Sequence, residues 1–159
     1  MTRPRFDQHS TEFGIWIRQQ PDLHSKDGYV ATNVDYIWCN YKTRKWMLIE
    51  EKRFMSKPDF CQSELFAMLE IVSRLIAGKY YGFHVISFEN TSPEDGEIYL
   101  NGRRITKDQL ITFLRFEAPS YMYQTNEIVE QQVRRLLRGY PMLFNLYQTK
   151  KRTAIEGGQ

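Results

Sequence analysis

The fold predicted for this chain depends on two segments, Asn33-Val34-Asp35-Tyr36 and Leu48-Ile49-Glu50-Glu51-Lys52. Residues 29–39 and 46–54, which contain them, are rich in β-branched and aromatic side chains, as strands usually are. A polar run at residues 40–45 separates the two stretches. This pattern predicts a β-hairpin with a tight loop at residues 41–44.

The register of this hairpin decides which charged side chains meet. A loop at residues 41–44 places Asp35 opposite Glu50 and Asn33 opposite Lys52. Directly opposed residues share one face of a sheet, with Cβ atoms about 4.5–5.5 Å apart. Alternation along the second strand then predicts two faces, one with Leu48, Glu50 and Lys52 and the other with Met47, Ile49 and Glu51.

Two carboxylates and a lysine therefore converge on one face of the predicted hairpin. Hard divalent cations prefer oxygen ligands, and a lysine two residues beyond an acid on a strand points to the same side. Charges at the end of an otherwise apolar strand are costly to bury unless they are paired or bind a metal. The pattern predicts metal-assisted phosphodiester hydrolysis, although an acid-x-lysine sequence alone is also typical of a solvated face.

The Asp35…Glu50-x-Lys52 pattern and its setting resemble the PD-(D/E)xK nuclease superfamily, which has the restriction-endonuclease-like fold. The resemblance covers about residues 10–90, in the order helix, strand hairpin, helix, strand. Val34 stands where the proline of the family pattern would be. The resemblance implies an α/β (α+β) fold with an αβββαβ core. We expect a central mixed sheet of four to five strands flanked by helices, with a C-terminal hairpin and helices added.

The same resemblance implies roles for the residues of the hairpin. Asp35 and Glu50 would bind Mg²⁺, with Mn²⁺ as a substitute, and the main-chain carbonyl of Glu51 would be a further ligand. Lys52 would be the catalytic lysine, and cleavage would leave a 5′-phosphate. Some relatives have a first-helix glutamate that reaches the metal, and Glu12 resembles it. The alternative for Glu12 is a first-turn glutamate favoured by the helix dipole.

A second helix is predicted at residues 60–77, where apolar residues recur at helical spacing. Gln62 falls in its first turn, where it either orients a water or phosphate or is simply solvated. Gln62 and Phe66 partly match the Gln-x-x-x-Tyr motif of the exonuclease-like branch of the superfamily. A strand at residues 80–89 follows, and we expect its His84 to face a neighbouring helix as a satisfied core or interface histidine.

The C-terminal part is predicted from local turn and cap signals. Asn101-Gly102 favours a hairpin with arms at residues 98–100 and 103–105, and Thr106-x-x-Gln109 is a capping box that opens a helix. A last helix is expected at about residues 126–138. We expect one nuclease domain over residues 1–159, with its core at about 10–90, an addition at about 91–148 and a mobile tail at about 149–159.

Basic residues near the C-terminus are candidates for nucleic-acid binding, since arginine and lysine make most contacts to phosphates. A solvated basic face is the ordinary alternative for each of them. The candidates are Arg134, Arg135, Arg138, Lys150 and Lys151.

The composition is that of a folded protein, with 42% apolar residues in 159 and a net charge of +3 that permits nucleic-acid binding. Cys39 and Cys61 form neither a disulfide framework nor a zinc site, so we expect reduced core thiols in a cytoplasmic protein. No apolar run is long enough for a membrane helix, and the polar start is not that of a signal peptide.

These observations predict a small Mg²⁺-dependent deoxyribonuclease. We expect an endonuclease of the resolvase-like, phage-type or homing kind, with DNA as its partner and a homodimer as its working form. Two alternatives remain open at this point. One is a catalytically inactive nucleic-acid-binding or assembly module of the same fold, and the other is an RNase of that fold.

Overall fold

The structure is a computed structural model that describes residues 12, 16, 19–23, 25–27, 29, 34–76 and 78–156. The chain divides into two compact units, Met1–Asn33 and Val34–Gln159, and each is described by itself. In the first unit Glu12, Trp16 and Gln19 are helical, and two short 3₁₀ helices follow at Pro21–Leu23 and Ser25–Asp27. The pairing predicted for Asn33 lies outside the described residues.

The second unit contains a five-stranded mixed sheet in the order β1-β2-β3-β4-β5 within the described residues. Strands β2 and β3 are parallel, and the other neighbours are antiparallel. The strands are β1 (Tyr36–Asn40), β2 (Lys45–Lys52), β3 (Tyr80–Phe88), β4 (Ile98–Leu100) and β5 (Arg103–Ile105).

Helices cover both faces of this sheet, so the expected α+β class with a mixed sheet flanked by helices is confirmed. The helices are α1 (Phe60–Ile76), α2 (Lys107–Leu114), α3 (Glu127–Leu136) and α4 (Pro141–Glu156). In the described residues two strands precede α1, where an αβββαβ core has three. No helix in this described part is long and apolar enough to cross a membrane.

The register predicted for the hairpin is confirmed along the whole of β1. Its pairs run from Tyr36 with Ile49 to Asn40 with Lys45. Asn40 closes the turn, since its carbonyl accepts from the Arg44 N–H at 2.8 Å and its side-chain Oδ1 accepts from two further turn amides. The loop therefore has the predicted length, and length sets the register of a hairpin.

The two predicted faces of β2 pack into different hydrophobic clusters. Leu48 contacts the cluster that contains Phe66 of α1 together with residues of α3 and α4. Met47 and Ile49 belong to a second cluster, which contains Phe113 of α2. The side chains of Glu50 and Lys52 lie on the same side of β2 as Leu48. The side chains of Glu50 and Lys52 therefore face α1.

Strand β1 differs from the prediction in its burial. Every residue of β1 is exposed, including Cys39, so the predicted core position of this thiol is wrong. The reason is topological, because β1 is an edge strand with β2 as its only neighbour in the described sheet. Trp38 donates its indole N–H to the Leu114 carbonyl at 2.7 Å.

The local signals of the C-terminal part are confirmed up to α3. The hairpin β4–β5 turns at Asn101-Gly102, both with positive φ, and Thr106 and Gln109 form the reciprocal capping box of α2. Asn126 caps α3. The region after α3 differs, because Pro141 begins a helix that continues to Glu156. Proline suits a first helical position, where its missing N–H has no partner to lose. Residues 149–156 are thus helical where a tail was expected.

A buried polar cluster joins α1, β3, the residue before the α3 cap, and α4. The Glu70 carboxylate is its centre, and all of its members are buried. It accepts from the Arg74 guanidinium at 2.9 Å, the Tyr80 hydroxyl at 2.6 Å, the Thr125 hydroxyl at 2.8 Å and the Tyr147 hydroxyl at 3.0 Å. Burial alone would raise the pKa of Glu70, but the charge of Arg74 and these hydrogen bonds hold it below its usual value.

His84 is the satisfied core histidine that the sequence predicted. It is fully buried, its ring meets Phe113 of α2 edge-on, and its two ring nitrogens have partners. Nε2 lies 2.8 Å from the Tyr81 carbonyl, and Nδ1 lies 3.0 Å from the Asn101 side-chain amide nitrogen. Burial lowers the pKa of His84 from 6.5 to about 4.

This shift predicts a loss of stability at mildly acidic pH. Because the pKa is lower in the folded chain, the unfolded chain binds the proton first as pH falls below 6.5, and the folded state loses stability until pH reaches about 4. We expect His84 to contribute a loss of about 2 kcal/mol in the free energy of unfolding between about pH 8 and pH 5. Urea unfolding at the two pH values measures it. In His84→Gln the loss of unfolding free energy between the two pH values should be smaller by about 2 kcal/mol. If the loss were the same as in the unchanged protein, the lowered pKa of His84 would be contradicted.

Candidate active site

The candidate site lies at the carboxyl end of β2, beside the first turn of α1. Lys52 is the residue that joins the two elements. Its Nζ donates to Glu50 Oε1 at 2.8 Å and to Gln62 Oε1 at 3.3 Å. The Lys52 side chain is 14% exposed and that of Glu50 is 5% exposed. The structure thus brings together three of the predicted site residues.

Glu50 has one satisfied and one unsatisfied carboxylate oxygen. Oε1 accepts from Lys52, whereas Oε2 is buried and has no hydrogen-bond partner among the described residues. Burial raises the pKa of Glu50, the Lys52 hydrogen bond lowers it, and the negative charge of Asp35 raises it again. A buried oxygen without a donor is unfavourable and calls for a physical explanation. A cation bound at Oε2 would supply the missing partner.

Asp35 lies one residue before β1 and is held against β2. Its Oδ2 accepts from the main-chain N–H of Glu51 at 2.7 Å. Asp35 itself is exposed, and its charge acts on the Glu50 carboxyl. The hydrogen bond extends the hairpin beyond its last strand pair, Tyr36 with Ile49. The two carboxylates therefore lie near the same end of β2, and the direct opposition of Asp35 and Glu50 stays a prediction.

Glu51 points away from this cluster. Its carboxylate accepts from the Tyr36 hydroxyl at 3.0 Å and from Arg53 Nε at 2.7 Å. The hydrogen bond to Glu51 is also the main reason that the pKa of Tyr36 is raised. The side chain is thus engaged on the other face of β2. The role predicted for Glu51 concerns only its main-chain carbonyl.

Gln62 has a structural partner that sequence reasoning missed. Its main-chain N–H donates to Asp59 Oδ1 at 2.7 Å, and its own Oε1 accepts from the Asp59 N–H at 3.4 Å. This reciprocal pair is a capping box at the start of α1, and the Asp-x-x-Gln spacing in the sequence was its signal. The same Oε1 accepts from Lys52. Gln62 is therefore a positioning residue for Lys52 as well as part of the cap.

The donor set fits a hard divalent cation. Asp35 and Glu50 supply carboxylate oxygens, and Mg²⁺ commonly binds one or two carboxylates while it keeps several waters. The orphaned Glu50 Oε2 is the observation that favours a bound cation. Among the described residues no group of three or more His, Cys, Asp or Glu side chains lies close enough to hold a metal. Any such site on these residues rests on two carboxylates.

Glu12, the other predicted metal ligand, belongs to the Met1–Asn33 unit. It is exposed and helical there. Its proposed reach to a metal stays a prediction.

The basic residues near the C-terminus differ in their surroundings. Arg134, Arg138 and Lys150 are exposed. Arg135 is also exposed, but its guanidinium lies over the Phe60 ring at 5.1 Å, beside the start of α1. Lys151 pairs with Glu130 at 3.1 Å and is 17% exposed, so its charge is largely neutralised within the protein.

Comparison of this chain with models of protein families, with curated proteins and with solved structures finds no match in any of the three.

Proposed function

We propose that the chain is a Mg²⁺-dependent nuclease of the restriction-endonuclease-like fold that hydrolyses phosphodiester bonds of DNA. The observation that carries the proposal is the buried, unpartnered Oε2 of Glu50 beside Lys52 and Asp35. The order of the β1–β2 hairpin, α1 and the parallel strand β3 supports the proposed fold.

The carboxylates of this cluster are suited to bind a cation at the end of β2. Glu50 Oε2 has no hydrogen-bond donor among the described residues, and Asp35 uses one oxygen for the Glu51 N–H. When bound, Mg²⁺ polarises a phosphoryl oxygen and lowers the pKa of a coordinated water. A cation there would also relieve the repulsion between the two carboxylates, which raises the pKa of Glu50.

Lys52 is placed to stabilise negative charge that develops on a phosphate. Its ammonium is fixed by Glu50 and Gln62 on either side, so little reorganisation is needed at the moment of reaction. With a carboxylate at 2.8 Å it acts as a cation that orients a water or phosphate rather than as a proton acceptor. Gln62 keeps the lysine beside the first turn of α1, and the capping box keeps Gln62 in place.

The substrate class follows from the chemistry of the cluster and from exposed basic residues. The net charge is +3, and Arg134, Arg138 and Lys150 are exposed for contacts to phosphates. DNA is the proposed substrate, and a homodimer remains a prediction. Cleavage assays would test whether DNA or RNA is the substrate. They would use supercoiled, linear, branched and single-stranded DNA and single-stranded RNA, each with Mg²⁺ and with a chelator. Cleavage of RNA alone would make the chain an RNase of this fold.

Lys52→Ala tests the catalytic role. We expect the cleavage rate to fall at least about 100-fold, because a preorganised charge at the scissile phosphate is lost, while DNA affinity changes only a few-fold. Lys42→Ala is the matched control, since Lys42 is an exposed lysine in the hairpin turn. Thermal unfolding of both variants checks that the fold is kept.

Two results would contradict this role. Equal losses of cleavage and of affinity would make Lys52 a binding residue. Undiminished cleavage by Lys52→Ala would remove Lys52 from the chemistry. Binding without any cleavage by the unchanged protein would favour the inactive nucleic-acid-binding module.

Asp35→Asn tests the metal site. Asparagine keeps an oxygen that can accept from the Glu51 N–H, so the hairpin should be retained while one negative charge is removed. We expect Mg²⁺ or Mn²⁺ affinity, measured by calorimetry, to fall at least about tenfold. The exposed Asp108 of α2 offers the control Asp108→Asn, which should bind as the unchanged protein does. Equal metal affinity for all three proteins would exclude Asp35 as a ligand.

A further inference from the structure

We infer that a cleft of about 510 Å³ beside α3 binds a phosphorylated nucleoside. The β4–β5 turn, the 3₁₀ helix Ser120–Tyr123, α3 and α4 form its walls. Neither Glu50 nor Lys52 lines it. The inference therefore goes beyond the proposed hydrolysis and requires neither the metal nor the chemistry at β2. The volume falls within the usual range of small-molecule sites, about 300–1,000 Å³.

Four cationic side chains line the cleft, and two of them are neutralised by the protein. Arg104 pairs with Glu97 at 2.7 Å, and Lys151 pairs with Glu130 at 3.1 Å. The remaining cations are Arg103 and Arg134.

Arg103 and Arg134 are both exposed, and neither makes an ion pair with any other residue in the described part of the chain. Glu127 is the one lining carboxylate in that part that is not already paired with a lysine. Two free guanidinium groups against one carboxylate leave an excess of positive charge. Arginine is also suited to phosphate, because its planar fork can donate two parallel hydrogen bonds. The cleft is thus prepared for an anion with several acceptor oxygens.

The rest of the lining favours a nucleobase beside that anion. The Tyr121 ring is 55% exposed at the cleft, where a planar base can stack on it. Gln109 uses its Oε1 to accept from the Thr106 N–H, which leaves its amide N–H groups as donors. The Gln124 side chain makes no hydrogen bond with the described residues. Stacking and amide hydrogen bonds are the usual means of holding an unpaired base.

Hydrogen bonds within the protein hold the floor of the cleft. Asn101 accepts from the Val85 N–H at 2.9 Å and donates to the Gln124 carbonyl at 3.2 Å. The single hydroxyl proton of Tyr147 is shared between Glu70 and Glu130, and the hydroxyl oxygen lies 2.9 Å from Glu130 Oε2, which ties the wall to the buried core. A preformed site loses less conformational entropy on binding, so modest contacts suffice for measurable affinity.

A free mononucleotide and one nucleotide of a polynucleotide offer the same chemistry to this cleft. Calorimetry in the presence of a chelator separates them, with adenosine 5′-monophosphate, adenosine, inorganic phosphate and a short single-stranded oligodeoxyadenylate as probes. The chelator prevents metal-dependent cleavage during the measurement. A cleavage assay run separately reports on the β2 cluster, so failure of one proposal leaves the other intact.

The double variant Arg103→Ala/Arg134→Ala should weaken binding of the phosphorylated probes at least about tenfold, since two charge-assisted contacts are lost. Lys42→Ala/Arg152→Ala removes the same number of exposed positive charges outside the cleft and should bind as the unchanged protein does. Tyr121→Leu should weaken the mononucleotide but not inorganic phosphate. Thermal unfolding should be unaltered in all three, because the substituted side chains are exposed.

Cleft-dependent binding of the mononucleotide but not of the oligonucleotide would identify a free nucleotide as the ligand, and the reverse would identify a polynucleotide. Either result supports the site. If the cleft variant and its control lost the same affinity for the phosphorylated probes, the binding would be general electrostatic attraction and not a property of the cleft. If Tyr121→Leu bound the mononucleotide as tightly as the unchanged protein does, the base would have no place in the site. If none of the phosphorylated probes bound, the inference would be overturned.

Discussion

The carboxylate of Glu70 is the constraint on which the rest of the second unit depends. It is fully buried, and a buried charge is tolerated only when its partners are in place. Those partners come from α1, from the start of β3, from the residue before the α3 cap and from α4. The bond from Tyr80 joins α1 to β3, and the bonds from Thr125 and Tyr147 join α1 to the start of α3 and to α4. Since the first turn of α1 carries Gln62, they also fix what Lys52 can reach.

The hairpin could be predicted from sequence because its determinants are local. The polar run between two β-rich stretches sets the loop length, and alternation then assigns Glu50 and Lys52 to the face of Leu48. The hairpin at Asn101-Gly102 and the cap at Thr106 have the same local origin. The sequence predicts the position of strand β1 but not its exposure. Exposure depends on which strands lie beside β1 in the sheet, and the order of strands is determined by contacts between distant parts of the chain.

Other features were hidden because they join distant residues or allow two interpretations. Tyr147 and Glu70 are 77 positions apart, and nothing at either position identifies the other as its partner. The sequence predicts a last helix that ends at about residue 138, but Pro141 begins a further one, because proline is well suited to the first position of a helix. The sequence leaves two interpretations of Gln62, which either orients a water or phosphate or is solvated. In the structure it is a cap and a lysine partner at once, because Asp59 holds it in both roles.

A single amide oxygen thus serves both the folding of α1 and the placement of an ammonium group. A substitution at position 62 chosen to strengthen the helix would displace Lys52, and one chosen to tune Lys52 would loosen the first turn of α1. The stability of α1 and the placement of Lys52 therefore cannot be changed independently at this position. Attempts to engineer the protein would do better to leave this turn unchanged and seek robustness in the exposed edge strand β1.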